Sequence, residues 1–173
     1  MVMTFKGLAK LTEEIGELIQ VVGKKIAYTD GTHPDGKGDL NSRMQEEIGD
    51  VIAAVRFVSE KLELDAIAIG ANAEYELTAT LLYGLPQLAM SLSGLSYSAS
   101  SAIWAIYADG QEAAQGATRK VNASASLQYE MGLALASISS VVKSLNLDQQ
   151  AINNRIAKKV WQYEAWDRQK PWK

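Results

Sequence analysis

Thr12-Glu13-Glu14-Ile15-Gly16-Glu17-Leu18 recurs 33 residues later as Gln45-Glu46-Glu47-Ile48-Gly49-Asp50-Val51. Both copies lie in proline-free segments whose apolar residues repeat at helical spacing, so both read as helix. Residues three apart share a helix face, about 60° apart around the axis, which aims Glu14 with Glu17 and Glu47 with Asp50. A solvated acidic face ordinarily carries Lys or Arg four residues after each glutamate. Here Glu13 is followed by Glu17 and Glu46 by Asp50. Such like-charge pairs cost roughly a few tenths of a kcal/mol in water, and more when partly buried. A divalent cation reverses that sign, because Mg²⁺ and Mn²⁺ prefer carboxylate oxygens. Gly16 and Gly49, each costing about 1 kcal/mol relative to Ala inside a helix, stand between the paired acids and predict close helix approach.

One ExxE spacing is common by chance; its duplication with matched glycines and without basic partners is not. Glu13-Glu14-x-x-Glu17 followed by Glu47-x-x-Asp50 resembles the EExxE and ExxD motifs of the MazG-like, all-α nucleoside triphosphate pyrophosphohydrolases. That superfamily also takes in dimeric-type dUTPases and phosphoribosyl-ATP pyrophosphohydrolases. The match covers about the first 65 residues, including the apolar run after Asp50. The resemblance implies Mg²⁺, with Mn²⁺ as substitute, held by Glu14, Glu17, Glu47 and Asp50, and Glu13 or Glu14 as general base. It further implies hydrolysis of a nucleotide to monophosphate and pyrophosphate, with Lys24, Lys25, Lys158 or Lys159 stabilising the phosphate tail. Homodimers or homotetramers are the assemblies it leads one to expect. The segment Asn153-Asn154-Arg155-Ile156-Ala157-Lys158-Lys159-Val160-Trp161 resembles the Asn- and Lys-bearing helix that follows the ExxD helix in MazG relatives, but Asn154 and Lys158 are four apart where the usual spacing is three. Trp161, Tyr97 and Trp104 read either as platforms for a nucleobase or as core.

The chain suits one domain, and three prolines among 173 residues, with long Ala- and Leu-rich segments, predict an all-α bundle of about six helices. A net charge of −3 and a pI of about 5.2 argue against nucleic-acid binding. The absence of cysteine removes disulfides and thiolate chemistry. No charged-then-apolar segment opens the chain, so a cytoplasmic protein is expected. Residues 77–108 carry no charge, yet six serines between Ser91 and Ser101, with Gly84, Pro86 and Gly94, argue against a membrane span.

In chain order, the first helix is expected from Thr4 to Ala27, with Lys10, Glu14, Glu17, Val21 and Lys24 on one face. A glycine-rich connector follows, holding the single histidine, His33, read as solvent-exposed. An EF-hand starting at Asp35 fails, since Lys37 and Leu40 occupy its acidic and glycine positions. A ferritin-like di-iron site would need two Glu-x-x-His motifs and therefore more than one histidine. The second helix begins near Asp39 to Ser42 and ends near Leu62, with Arg43, Glu47 and Asp50 on its acidic face. Arg43 and Lys10 read equally as phosphate ligands or as neutralisers of the acids. Two helices are expected within 77–108, a polar loop over 109–120, a helix to about Leu145 and a last helix from Asp148 toward Arg168.

Residues 77–173 read as a degenerate copy of residues 1–76. Gly7-Leu8 aligns with Gly84-Leu85, Glu47-Ile48-Gly49 with Glu130-Met131-Gly132, and Leu64-Asp65 with Leu147-Asp148. Glu14, Glu17 and Asp50 become Ser91, Gly94 and Leu133, so only the first repeat would bind metal. Two functions from different classes follow: the pyrophosphohydrolase, or a non-catalytic helical interaction protein whose acids serve solubility or partner binding.

Overall fold

A computed structural model describes residues 2–28, 33–109 and 113–168. All regular structure among them is helical: α1 (Val2–Ala27), α2 (Leu40–Lys61), α3 (Ala66–Asp109), α4 (Ala113–Ser144) and α5 (Gln149–Arg168). The third helix is broken at Gly84, with φ 54° and ψ −128°, into arms 66–83 and 85–109. Six helical segments result, as the sequence predicts. The break has a local cause. Pro86 lacks an N–H, and its ring would strike the carbonyl four residues back in a continuous helix. Gly84, with no Cβ, takes the positive φ at little cost.

Side-chain caps set the boundaries. Asp39 Oδ2 accepts the Ser42 N–H at 2.7 Å and opens α2. At its other end Glu63 turns to φ 53°, and the Leu64 N–H donates to the Ser59 carbonyl at 2.9 Å, a Schellman closure. Asp65 Oδ1 then accepts the N–H groups of Ile67 and Ala68 at 2.8 and 3.3 Å, opening α3. The same construction returns after α4. Asn146 has φ 49°, the Leu147 N–H reaches the Val142 carbonyl at 3.0 Å, and Asp148 Oδ1 accepts from Gln150 and Ala151 at 2.8 and 3.1 Å. Each turn is tied to the other half of the chain. Gln128 of α4 accepts the Asp65 N–H at 2.5 Å, and Gln45 of α2 accepts the Asp148 N–H at 2.6 Å.

Helices α1 and α2 pack together, α3 packs on α1 and α4, and α5 lies along α2. Leu8, Leu11, Ile15 and Leu18 of α1 meet Met44, Ile48 and Val51 of α2, with Leu88, Leu92 and Leu95 of α3 and Leu127, Met131 and Ile138 of α4 completing one core. Burying each such side chain stabilises the fold by about 1.5–3 kcal/mol. Since α1 gives its apolar stripe to this core, its acidic stripe must lie at an edge of the bundle, where α5 meets it.

Several expectations are corrected. A helix starts at Ala66, well before residue 77, because Asp65 caps it. Residues 113–120, expected as loop, open α4, and their alanines favour helix; residues 110–112 lie outside the described ones. Trp104 and Tyr97, at 64% and 75% exposed, belong to neither core nor acidic site. His33 is not solvent-exposed but half-buried: its Nδ1 accepts the Asp35 N–H at 3.1 Å, and its ring meets Tyr28 edge-on at 4.7 Å. No helix among the described residues is long and apolar enough to cross a membrane.

Candidate metal centre

The two acidic heptapeptides face one another. Glu14 from α1 and Glu47 and Asp50 from α2 each bring a carboxylate oxygen within 4.8 Å of the others, the one such trio among the described residues. Glu14 and Asp50 are fully buried and Glu47 half-buried, while Glu17, one turn along α1, is exposed at the rim. Glu13 lies outside the cluster, 57% exposed and paired with Lys10 at 2.9 Å.

The basic partners absent at i+4 come from elsewhere. Lys10, one turn before Glu14, reaches its Oε1 at 2.9 Å. From α5, Lys159 Nζ lies between Glu14 Oε1 at 3.1 Å and Asp50 Oδ2 at 2.8 Å. Arg155 grips Asp50 with both arms of its fork, Nε to Oδ1 at 2.5 Å and an Nη to Oδ2 at 2.6 Å. Tyr163 donates its hydroxyl to Glu14 Oε1 at 3.2 Å, with its ring against Phe57 at 5.3 Å. Arg155, Lys159 and Tyr163 follow one another at four-residue steps, hence along one face of α5.

Gly49 makes this approach of α5 feasible. A Cβ there would lie 2.7 Å from Cγ and 2.8 Å from Cβ of Arg155, and 3.3 Å from the Ile152 carbonyl. The guanidinium stem runs over the bare backbone and turns down onto Asp50. Gly16 has no such role, since a Cβ on it would meet nothing within 4 Å. The expectation of close approach therefore holds for one glycine of the matched pair.

Four carboxylates meet three cations, and the proton affinities of Glu14, Glu17 and Glu47 diverge accordingly. Burial alone would raise the Glu14 pKa, but hydrogen bonds from Lys10 and Lys159 outweigh it and hold Glu14 below the usual range. Glu17, though at the rim, is pushed up by partial loss of water on its cluster side and by neighbouring Glu14. Glu47 is pushed up to about 7, first by burial and then by the charges of Glu17, Asp50 and Glu14. Burial would lower Lys159, yet its hydrogen bonds to Asp50 and Glu14 keep it raised and charged. Burial and the Glu14 charge push Tyr163 up, so it remains a donor. Two buried oxygens, Glu14 Oε2 and Glu47 Oε2, have no hydrogen-bond partner.

Of Lys24, Lys25, Asn154, Lys158, Lys159 and Trp161, Lys159 alone lies in the cluster, while Lys10 is there as a partner of Glu14. Lys24 is held at the loop end of α1 by Asp35 at 2.7 Å, and Lys25, beside it, is half-buried there. Asn154 and Lys158 are exposed on α5, with Asn154 Oδ1 accepting from Gln150 at 2.9 Å. Trp161 is 64% exposed and about 160° around α5 from Lys159. Asn154, Lys158 and Trp161 thus point away from the acids. Arg155 and Tyr163 were missed, although their four-residue phase with Lys159 was visible in the sequence. In the second half, Ser91 Oγ bonds Ser137 Oγ at 2.9 Å where the alignment replaces Glu14. A Cβ on Gly94, the counterpart of Glu17, would lie 2.4 Å from Glu130 Oε2, so Glu130 fills that space.

Fold and site together define an all-α bundle with a buried, partly neutralised carboxylate cluster at the junction of three helices. Compared with protein-family models, curated proteins and solved structures, the chain matches none.

Proposed function

We propose that this chain hydrolyses nucleoside triphosphates, deoxynucleotides foremost, to the monophosphate and pyrophosphate, in a divalent-cation-dependent reaction at the Glu14, Glu47 and Asp50 cluster. The observation that carries this reading is the pair of buried, unpartnered oxygens, Glu14 Oε2 and Glu47 Oε2. An unsatisfied buried acceptor costs about 1–3 kcal/mol, and more when charged. A hard cation satisfies two such oxygens at once. The donor set, all carboxylate oxygen with neither His nor Cys, fits Mg²⁺ or Mn²⁺. Glu14, Glu47 and Asp50 would hold it, with Glu17 one turn along. Such an ion, when bound, neutralises charge on phosphate oxygens and lowers the pKa of the water that attacks phosphorus.

The chain's own residues prepare the cluster. Lys10, Lys159 and Tyr163 all engage Oε1 of Glu14, which keeps this buried carboxylate ionised and leaves its other oxygen available. Arg155 fixes Asp50 through a two-pronged bond of the kind that sets orientation as well as charge. One water is consumed, the bond between the α-phosphorus and the bridging oxygen breaks, and pyrophosphate leaves with that oxygen.

A second reading is favoured by the three cations already present: the network is a clasp fastening α5 to α1 and α2 in a non-catalytic interaction protein. None of the clasp's ion pairs uses Glu47, so Glu47→Gln separates the two readings. Pyrophosphate release would be followed over a panel of nucleotides, dUTP and phosphoribosyl-ATP included, with Mg²⁺ or Mn²⁺. Turnover by the wild type that Glu47→Gln abolishes, with helical content retained, supports the hydrolase. No turnover of any nucleotide, together with no calorimetric binding of Mn²⁺, leaves the clasp.

A further inference from the structure

The stripe that carries the acids changes sign toward the loop between α1 and α2. Lys24 stands seven residues after Glu17, only about 20° off in helix phase and roughly 10 Å further along α1. Arg43 stands one turn before Glu47, roughly 6 Å nearer the same end. One carboxylate joins these two cations. Asp35 Oδ2 lies 2.7 Å from Lys24 Nζ, and the Arg43 guanidinium reaches Oδ2 at 3.1 Å and Oδ1 at 3.3 Å. The Lys37 N–H adds a bond to Oδ1 at 3.1 Å, and His33 Nδ1 lies 3.1 Å from Oδ2. The Lys24 ammonium above all, with the Lys37 N–H and the Arg43 guanidinium, holds Asp35 well below the usual carboxylate range.

We propose that Lys24 and Arg43 form the binding site for the terminal phosphates of the substrate, and that Asp35 is an internal anion which occupies this site and must be displaced. The assignment rests on the hydrolase reading above and adds the position and gating of the phosphate tail. Three observations carry it. Two cations share one carboxylate, so a net positive charge remains, which a polyphosphate with several negative charges satisfies better than a single carboxylate does. The cations lie on the acid-bearing face, so an extended triphosphate with one end at the acids runs toward them. Asp35 itself belongs to neither helix. It sits on a connector whose path is set by Gly36 at φ 68° and Gly38 at φ 89°, beyond Pro34, so releasing it breaks no helix hydrogen bond.

The test needs neither metal nor hydrolysis, which separates its failure from that of the hydrolase reading. Inorganic tripolyphosphate is titrated calorimetrically into the full chain in EDTA-containing buffer. Asp35→Asn should bind it at least tenfold more tightly than the wild type, and Asp35→Asn/Arg43→Gln should lose that gain. Equal or weaker binding by Asp35→Asn, or a gain that survives loss of Arg43, overturns the proposal. The wild type supplies a reading that depends on no variant's folding. His33 is the only histidine, so its ring resonances are unambiguous, and displacement of Asp35 removes the amide bond its Nδ1 accepts. Saturating tripolyphosphate should shift those resonances; unchanged ones refute displacement. Anion binding without nucleotide turnover would sink the hydrolase reading while leaving the anion site standing.

Discussion

Glu47→Gln gives the sharpest stability prediction, because the native structure carries Glu47 as a liability. Its carboxyl is pushed up to about 7 by burial and by Glu17, Asp50 and Glu14, against 4.5 for an unperturbed glutamate. The folded state therefore holds this proton to higher pH than the unfolded state does. By linkage, wild-type stability falls as pH rises from about 4.5 to about 7 and levels off above. A shift of this size corresponds to roughly 3 kcal/mol, and solvent screening at a partly exposed carboxylate leaves about 1.5–2 kcal/mol. Glutamine keeps the shape and removes the charge. In EDTA, Glu47→Gln should melt close to the wild type at pH 5. At pH 8 it should melt higher, by roughly 3–8 °C, at about 2–4 °C per kcal/mol for a chain of this size. Added Mn²⁺ should reverse the order at pH 8, since a ligand at a hundred times its Kd stabilises by about 2.7 kcal/mol and the variant lacks one of the three carboxylates of the cluster. Calorimetric melts at the two pH values decide the matter: the same difference between variant and wild type at both would refute the argument that Glu47 carries a buried, repelled charge.

The matched glycines should respond in opposite directions. Gly49→Ala drives a Cβ into Arg155 and should destabilise by about 1–3 kcal/mol, whereas Gly16→Ala, with open space around it, should stabilise by up to about 1 kcal/mol; denaturant unfolding measures both, and equal signs would contradict the packing. Glu130 faces Gly94 and belongs to no trio of acids among the described residues, so Glu130→Gln should keep most pyrophosphate release, and a loss as deep as that from Glu47→Gln would mean that the active site had been placed in the wrong half. Met90, Tyr97 and Trp104 stand seven apart along α3, all more than 60% exposed, within the uncharged run. A chain with such a stripe should associate at least as a homodimer, and light scattering that finds a monomer at micromolar concentration refutes this.

What the sequence alone determined about this protein was local. Apolar spacing and the scarcity of proline specified helices, Asp39 could be read as a cap, and the duplicated heptapeptide put Glu14, Glu47 and Asp50 on two helical faces, because the helix period converts sequence distance into direction. Which faces meet was decided only by tertiary structure. Beyond Lys10, one turn before Glu14, nothing local to Glu14 or Asp50 announces that further cations come from Arg155 and Lys159, which are 105 and 145 positions away along the chain. That pairing depends on how α5 folds back over Gly49. The same holds for the two glycines: alike in sequence context, only one has another helix above it. Burial of Glu14 and the raised pKa of Glu47 likewise exist only once three helices exclude water from one place, because desolvation belongs to a neighbourhood and not to a residue type.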